Sequence, residues 1–395
     1  GVSSAAADVY KRQPLCVVQN RQALERDLGL IDGWQKLQIE RFFDSAPVSR
    51  LSQKGVQTQP EQLGELTVSV LEGQHGHQRK EFQKLVHWLE TQATPDVIDI
   101  SNSMLISLAP ALKQALGCPI CCTLQGENVF LDHLEEPYRS RALELIREHG
   151  KSVDRFIAVS DYYAGHMSRY LGIPGALVDV VPLGIDLDSF FPAAAETDRP
   201  FTIGYLGRIA PEKGVHLLCE AYRRLRRQGE LEGCRIELAG YLGPEHGPYL
   251  DGIMRQVSEW GLEAEINYRG PLELEEKLAF LQGLDIFAVP ATYDDPKGLS
   301  LVEAMACGVP VVSTKRGTYV ELIERTGGGV LTTPDALDGF ASELLRLRTD
   351  DSRRVEMGQR GVAAVRAEYG ADGCLLYTSD AADDTPCVDL GGRRI

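Results

Sequence analysis

From residue 81 onward the chain alternates two kinds of stretch. Segments with apolar residues at helical spacing, such as EFQKLVHWLE (81–90), ISLAPALKQAL (106–116), YRSRALELIREHGKSV (138–153) and YYAGHMSRYLG (162–172), predict amphipathic helices. Between them lie short apolar runs: PDVIDIS (95–101), PICCTLQG (119–126), DRFIAVS (154–160) and ALVDVVPLG (176–184). Runs of this length without polar alternation predict strands buried on both faces. Alternation at this spacing predicts βα units on a parallel sheet. Residues 20–80 read as helical and polar, and the first strand and loop of such a domain are not evident there. CVVQ (16–19) fits a remnant of an early strand.

VVPLGIDLDSFFPAAAETDRP (180–200) has the proline, alanine and acid content of an interdomain connection. A second alternating series follows it. FTIGYLG (201–207), CRIELAG (234–240), EINYRG (265–270), LDIFAVPA (284–291) and VPVVST (309–314) read as strands. Helical stretches at 213–229, 249–261, 274–283 and 300–307 separate them. The expected architecture is α/β: two Rossmann-like doubly wound domains, 14–185 and 186–373, facing a cleft at the carboxyl ends of their strands.

The ends of the chain stand apart from this order. GVSSAAADVYKRQ (1–13) and CLLYTSDAADDTPCVDLGGRRI (374–395) lack any hydrophobic period and resemble translated sequencing-adapter read-through. They are expected to be artefacts, with the N-terminal domain truncated.

Composition narrows the function class. The 395 residues are 43% hydrophobic and 25% charged, as in a soluble globular protein, and the net charge of −16 argues against a nucleic-acid partner. No apolar run approaches the roughly 20 residues of a membrane span. Of the nine cysteines, Cys374 and Cys387 fall in the suspect tail, and the others are scattered singly except in CPICC (118–122). That stretch reads as a strand with small buried cysteines rather than a redox pair, which fits a reducing cytoplasm.

The candidate chemistry begins in DDPKGLSLVEAMACGVPVV (294–312). A strand, an acidic loop with Gly298, a short helix over 300–307, a stop at Gly308 and a further strand place a helix N-terminus at the carboxyl end of the sheet. Its free N–H groups and positive dipole end make an anion site, which Gly298 lets a phosphate approach. Glu303 sits one turn in, within reach of a hydroxyl on whatever carries the phosphate. In GYLGRIAPEKGV (204–215) a strand ends at Gly207, and Arg208 and Lys213 follow in the loop, positioned to converge on one diphosphate.

These two stretches, with VDRFIAVSDYY and VVPLGIDLDSF near the linker, resemble the family-4 (group 1) retaining glycosyltransferases of GT-B fold over about 85–370. The family's two-acid motif falls on Asp295 and Glu303. The resemblance implies that Glu303 holds the ribose hydroxyls of a nucleotide sugar and that Asp295 sits near the sugar. It implies that the diphosphate meets Arg208, Lys213 and the amides after Gly298, including that of Leu299. The loop at Arg269–Leu272, with Gly270, corresponds to the part that holds the base. The implied reaction is transfer of a sugar from a UDP- or GDP-sugar to the hydroxyl of a glycan or lipid-linked acceptor, with retention and without a metal or other cofactor. Asp295 replaces the usual glutamate, and Gln125 stands where many relatives carry a histidine facing the donor sugar. An amide there can hydrogen-bond but cannot serve as an acid or base.

Other readings stand beside this one. Asp295 and Gln125 leave room for a catalytically impaired nucleotide-sugar-binding protein, and the fold also hosts epimerases and hydrolases. Asp186-Leu187-Asp188 reads as a chance D-x-D in the linker, and His75 and His77 as solvated. Thr318 and Glu321 form a capping-box pattern, and Ser160 or Asp161 could cap the helix after FIAVS. RRLRRQ (223–228) is expected on an outer helix face, solvated or touching anionic lipid at the inner face of a membrane.

Overall fold

In the structure, a computed structural model, residues 16–18, 63–92, 94–193 and 199–370 are described. The suspect ends at 1–13 and 374–395, and residues 20–62 of the polar helical reading, lie outside the described residues. Two compact units are present. Described residues up to Ala158, with Ala164–Val180, form the first; Val159–Tyr163 and the residues from Val181 onward form the second.

The first unit holds a five-stranded sheet in the order β1-β2-β3-β4-β5. Its strands are β1 (Cys16–Val18), β2 (Val97–Ile100), β3 (Ile120–Leu124), β4 (Arg155–Ala158) and β5 (Val178–Val180). β2 to β5 pair in parallel, as the alternation predicts, whereas β1 pairs antiparallel to β2 at the edge. Helices α1 (Gly64–Leu71), α2 (Arg79–Glu90), α3 (Leu108–Leu116), α4 (Glu127–Asp132), α5 (Tyr138–Gly150) and α6 (Asp161–Leu171) accompany the sheet. Ser160 Oγ accepts from the Tyr163 N–H at 3.1 Å, so Ser160 supplies the cap at the start of α6. Cys118, Cys121 and Cys122 are free and buried. Burial first, and then the nearby Asp99 carboxylate, pushes the Cys121 thiol up to about 12, the setting of an inert core thiol.

The second unit holds six parallel strands: β6 (Phe201–Leu206), β7 (Cys234–Ala239), β8 (Ile266–Tyr268), β9 (Ile286–Val289), β10 (Val311–Thr314) and β11 (Gly329–Thr332). Their order is β11-β10-β9-β6-β7-β8. The chain therefore builds outward from β6 through β7 and β8, then crosses back to lay β9 on the other side of β6. The boundary between β6 and β9, where the strand order reverses, is the topological switch point of the sheet. Between and after the strands run α7 (Val215–Arg227), α8 (Gly247–Glu259), α9 (Leu274–Gln282), α10 (Leu299–Ala306), α11 (Tyr319–Thr326), α12 (Leu337–Thr349) and α13 (Asp351–Glu368).

All four residues of β9 and all four of β10 are buried, as the continuous apolar runs require of central strands covered on both faces. α7 shows why RRLRRQ can sit on a core helix. Leu218, Ala221, Tyr222 and Leu225 face inward. Arg223 and Arg224 pair with Glu220, Arg224 also with Asp338, and Arg226 with Glu265. Much of this basic face is thus neutralised within the unit. Among the described residues no helix is long and apolar enough to cross a membrane.

The burial pattern has a direct consequence for stability. Phe287→Ala, in the centre of β9, should cost about 3–5 kcal/mol and lower the thermal midpoint clearly. Leu66→Ala, at a half-exposed position on α1, should change stability by less than ~1 kcal/mol. Equal losses in denaturation would contradict this assignment of the core.

Candidate functional site

The loop leaving β6 is bound on two sides. Its Gly207 N–H donates to Ala239 O at 3.0 Å and its Ile209 N–H to Tyr241 O at 2.8 Å, which fixes it against the end of β7. A single 3-10 turn, Pro211–Lys213, brings it to Gly214. Gly214 has φ +78, and a Cβ there would lie 1.9 Å from the Pro290 carbonyl oxygen, so only glycine permits this approach to the end of β9. Thr292 N–H closes the contact by donating to Glu212 O at 2.8 Å. The two loops of the switch point are therefore stitched together, and Lys213 is delivered to the loop after β9.

Asp295 is the centre of that loop. Only 5% of the residue is exposed. Its Oδ2 accepts from Lys213 Nζ at 2.5 Å, from the Tyr293 hydroxyl, and from the Tyr319 hydroxyl at 3.1 Å. Its Oδ1 accepts from the backbone N–H groups of Lys297 at 2.8 Å and Gly298 at 3.0 Å. Burial alone would raise its pKa, but the Lys213 ammonium and these hydrogen bonds outweigh it and hold the carboxyl well below the usual range. Burial, followed by the Asp295 charge, pushes the phenols of Tyr293 and Tyr319 well up, so both remain donors. Lys213 Nζ also donates to the Tyr293 hydroxyl oxygen at 2.5 Å, which leaves one of its three N–H bonds uncommitted in this network.

A second carboxylate helps to lock the loop, since Asp294 Oδ1 accepts from the Gly317 N–H at 2.9 Å. Asp295 O accepts from the Thr318 N–H at 2.9 Å. The loops after β9 and β10 thus form one body around Asp295.

α10 begins directly after this loop, at Leu299 rather than the expected Ser300. Gly298 is its N-cap in the left-handed region, φ +66. A Cβ there would lie 2.3 Å from Leu322 Cδ1. The left-handed backbone calls for glycine here, and the close approach of Leu322 on α11 adds to that demand. Asp295 consumes the Lys297 and Gly298 amides. Those of Leu299 and Ser300 have no acceptor among the described residues and stand at the positive end of the helix dipole. One turn on, Glu303 Oε1 accepts from Lys277 Nζ at 2.6 Å.

Arg208 is more exposed than Lys213, and its Nη2 donates to Glu212 Oε1 at 2.5 Å. Gly270, φ +81, lies just past β8, where its carbonyl accepts from the Gly240 N–H at 2.9 Å. The neighbouring Arg269 Nε donates to the buried Glu237 at 2.7 Å. Gln125 belongs to the first unit, after β3. Its Nε2 donates to Ser101 O at 2.8 Å and its N–H to Glu127 at 2.7 Å. Of the sequence-derived candidates, the structure ties Lys213, Asp295 and Gly298 into one network. Gly207 and Arg208 lie on the stitched loop, Leu299 and Glu303 on the adjoining helix, and Gly270 at the end of β8.

Tyr319 and Lys277 were not apparent from the sequence, because each acts through a contact across the fold rather than through a local pattern; Tyr293, two residues before Asp295, was also not apparent, and it meets Lys213 across the fold. The capping box at Thr318 and Glu321 does not form. Thr318 has helical backbone angles, φ −69 and ψ −14, and its Oγ1 is buried without a hydrogen-bond partner among the described residues. Glu321 instead accepts from the N–H groups of Asp161 and Tyr162. A capping box does occur at Glu273 and Glu276, opening α9. Asp186 of the D-x-D is engaged in a local turn with the Asp188 N–H and the Ser189 hydroxyl.

Comparison with known proteins bears on what this arrangement serves. Residues 188–363 match the family model described as glycosyl transferases group 1, and residues 64–189 match that of glycosyltransferase family 4. The chain is a glycosyltransferase. It is 27% identical to a GDP-mannose-dependent alpha-(1-6)-phosphatidylinositol monomannoside mannosyltransferase of Mycobacterium tuberculosis, over 70% of this chain and 72% of that protein. It is 29% identical to a D-inositol 3-phosphate glycosyltransferase of Segniliparus rotundus, over 80% of this chain and 70% of the relative. Among solved structures it resembles Anabaena Alr3699/HepE in complex with UDP, with TM-score 0.67 at 18% identity over 81% of this chain and 96% of that one. Sucrose-phosphate synthase of Thermosynechococcus elongatus gives 0.65 at 21%, over 77% and 76%. These likenesses give the glycosyltransferase the GT-B fold.

The buried pair makes a prediction for this glycosyltransferase. Asp295→Asn leaves the Lys213 ammonium without its counter-charge and should cost about 3 kcal/mol or more at pH 7. The Asp295 pKa is lowered on folding, so its stabilisation is complete above the unfolded value, about 3.9, and is lost as pH falls below it. The gap in thermal midpoint between wild type and variant should therefore narrow from pH 5 to pH 3. A gap independent of pH would contradict the ionised pair.

Proposed function

We propose that this glycosyltransferase moves a sugar from a nucleoside-diphosphate sugar to an acceptor hydroxyl with retention of anomeric configuration, using protein cations and helix amides in place of a metal. The observation that carries the reading is the Lys213–Asp295 pair at the switch point, beside the uncommitted amides of Leu299 and Ser300. Transfer breaks the bond between the anomeric carbon and a phosphate oxygen, so negative charge grows on the diphosphate. Fixed cations and dipoles stabilise that charge most where they need not reorganise. Asp295 is saturated by donors, so its role is to fix Lys213 and the Gly298 loop and not to attack the sugar. Arg208 exchanges its exposed pairing with Glu212 for the diphosphate. Glu303, through the oxygen that Lys277 leaves open, accepts from the ribose, and the Gly270 loop flanks the base.

The relatives' names support a nucleotide sugar as donor and a lipid-linked or glycan hydroxyl as acceptor. One is GDP-mannose-dependent and acts on a phosphatidylinositol monomannoside, and the HepE structure holds UDP.

A thermal-shift panel of UDP, GDP, ADP and their sugars tests the donor. One nucleotide should raise the midpoint, and Arg208→Ala and Lys213→Ala should weaken that shift. With the matching nucleotide sugar, slow release of free sugar should persist in EDTA, retain its anomeric configuration by proton NMR, and fall at least ~100-fold in Lys213→Ala. No shift with any nucleotide on folded protein would overturn the reading. Binding without sugar release would mark a nucleotide-sugar-binding protein instead.

A further inference from the structure

The carboxylate assigned to the ribose does not stand alone. Lys277 lies on α9, whose start is fixed by the Glu273–Glu276 capping box, and its own N–H donates to Glu273 O at 2.8 Å. The Lys277 ammonium donates to Glu303 Oε1 at 2.6 Å and lies 4.9 Å from the centre of the Phe190 ring. Phe190 is buried, and the Lys277 and Glu303 side chains are 24% and 14% exposed. The lysine is therefore held by its helix, by a cation–π contact and by its carboxylate partner. Glu303 Oε2 has no partner among the described residues.

We propose that Lys277 is a positioning residue that makes Glu303 selective for a ribose diol. The inference rests on the reading of Glu303 as the ribose acceptor. Two effects follow from the geometry. First, an unpaired carboxylate close to a diphosphate would repel it, whereas a carboxylate neutralised by an ammonium does not. Second, tethering Oε1 fixes the rotation of the carboxylate, so Oε2 is presented in one direction. A fixed acceptor left unsatisfied by a sugar lacking the hydroxyl discriminates strongly against that sugar. The charge effect weakens ribo- and deoxynucleotides alike. The orientation effect appears only in their ratio, which separates positioning from a general structural role.

The test measures dissociation constants of the full chain by titration calorimetry. The ligands are the nucleoside diphosphate that shifts its midpoint and the 2′,3′-dideoxy counterpart. Wild type should favour the ribonucleotide by roughly ten- to a hundredfold, the range of a hydrogen bond to a charged group. Lys277→Met should cut that ratio at least about fivefold, and Lys277→Arg should largely keep it. Lys277→Gln keeps a neutral donor on a side chain one bond shorter; it guards against a poorly folded methionine variant and should give an intermediate ratio. If wild type does not discriminate, the ribose reading of Glu303 fails and takes this proposal with it. If wild type discriminates and both Lys277→Met and Lys277→Gln retain the full ratio, the role of Lys277 is overturned while the Glu303 reading stands.

Discussion

The second unit of this glycosyltransferase depends on one buried ion pair. Lys213 and Asp295 meet at 2.5 Å with 16% and 7% of their side chains exposed. Removing two charges from water costs several kcal/mol each, and the attraction between them repays this only if the remaining valences are filled. Here all but one are filled: two phenols and two backbone amides complete the carboxylate, and the Tyr293 hydroxyl accepts a second lysine N–H. The pair is costly to build and held rigidly, which suits a site that must offer positive charge without rearranging.

The sheet topology explains why the pair forms where it does. β6 and β9 are neighbours in space although β7 and β8 intervene in the chain. Their following loops are thus forced together at the carboxyl edge, and one carries the lysine while the other carries the aspartate. Gly214 and Gly298 let those loops approach, one against a carbonyl at β9 and the other against α11. A second pair, Lys277 with Glu303, repeats the pattern one turn along α10. In each case a lysine from elsewhere in the fold neutralises an acid of the two-acid motif. Both acids can then sit near a negatively charged ligand.

Much of this was legible in the sequence because it is local. The alternation of helix and strand periods, the strand-loop-helix-strand unit over 284–314 and the spacing of Asp295 and Glu303 each depend on neighbours in the chain. So does the stop at Gly308, which lies in the left-handed region at φ +78 just past α10. What the sequence hid is non-local. Tyr319 reaches Asp295 from the start of α11, and Lys277 reaches Glu303 from the preceding helix. The failed capping box at Thr318 shows the same limit from the other side. The residue types were right, but docking of the β10 loop on Asp294 and Asp295 sets Thr318 in helical angles, from which its hydroxyl caps nothing. The antiparallel pairing of β1 is likewise a property of the sheet edge and not of CVV itself.

If Asp295 acts by holding Lys213, the two residues must be energetically one unit toward the donor. A double-mutant cycle on nucleoside-diphosphate affinity, comparing Asp295→Asn, Lys213→Met and the double variant by calorimetry, measures this directly. Strong non-additivity is expected, with Asp295→Asn adding little once Lys213 has gone. Losses that simply add would mean that Asp295 meets the donor on its own terms, and would contradict the organising role given to the pair.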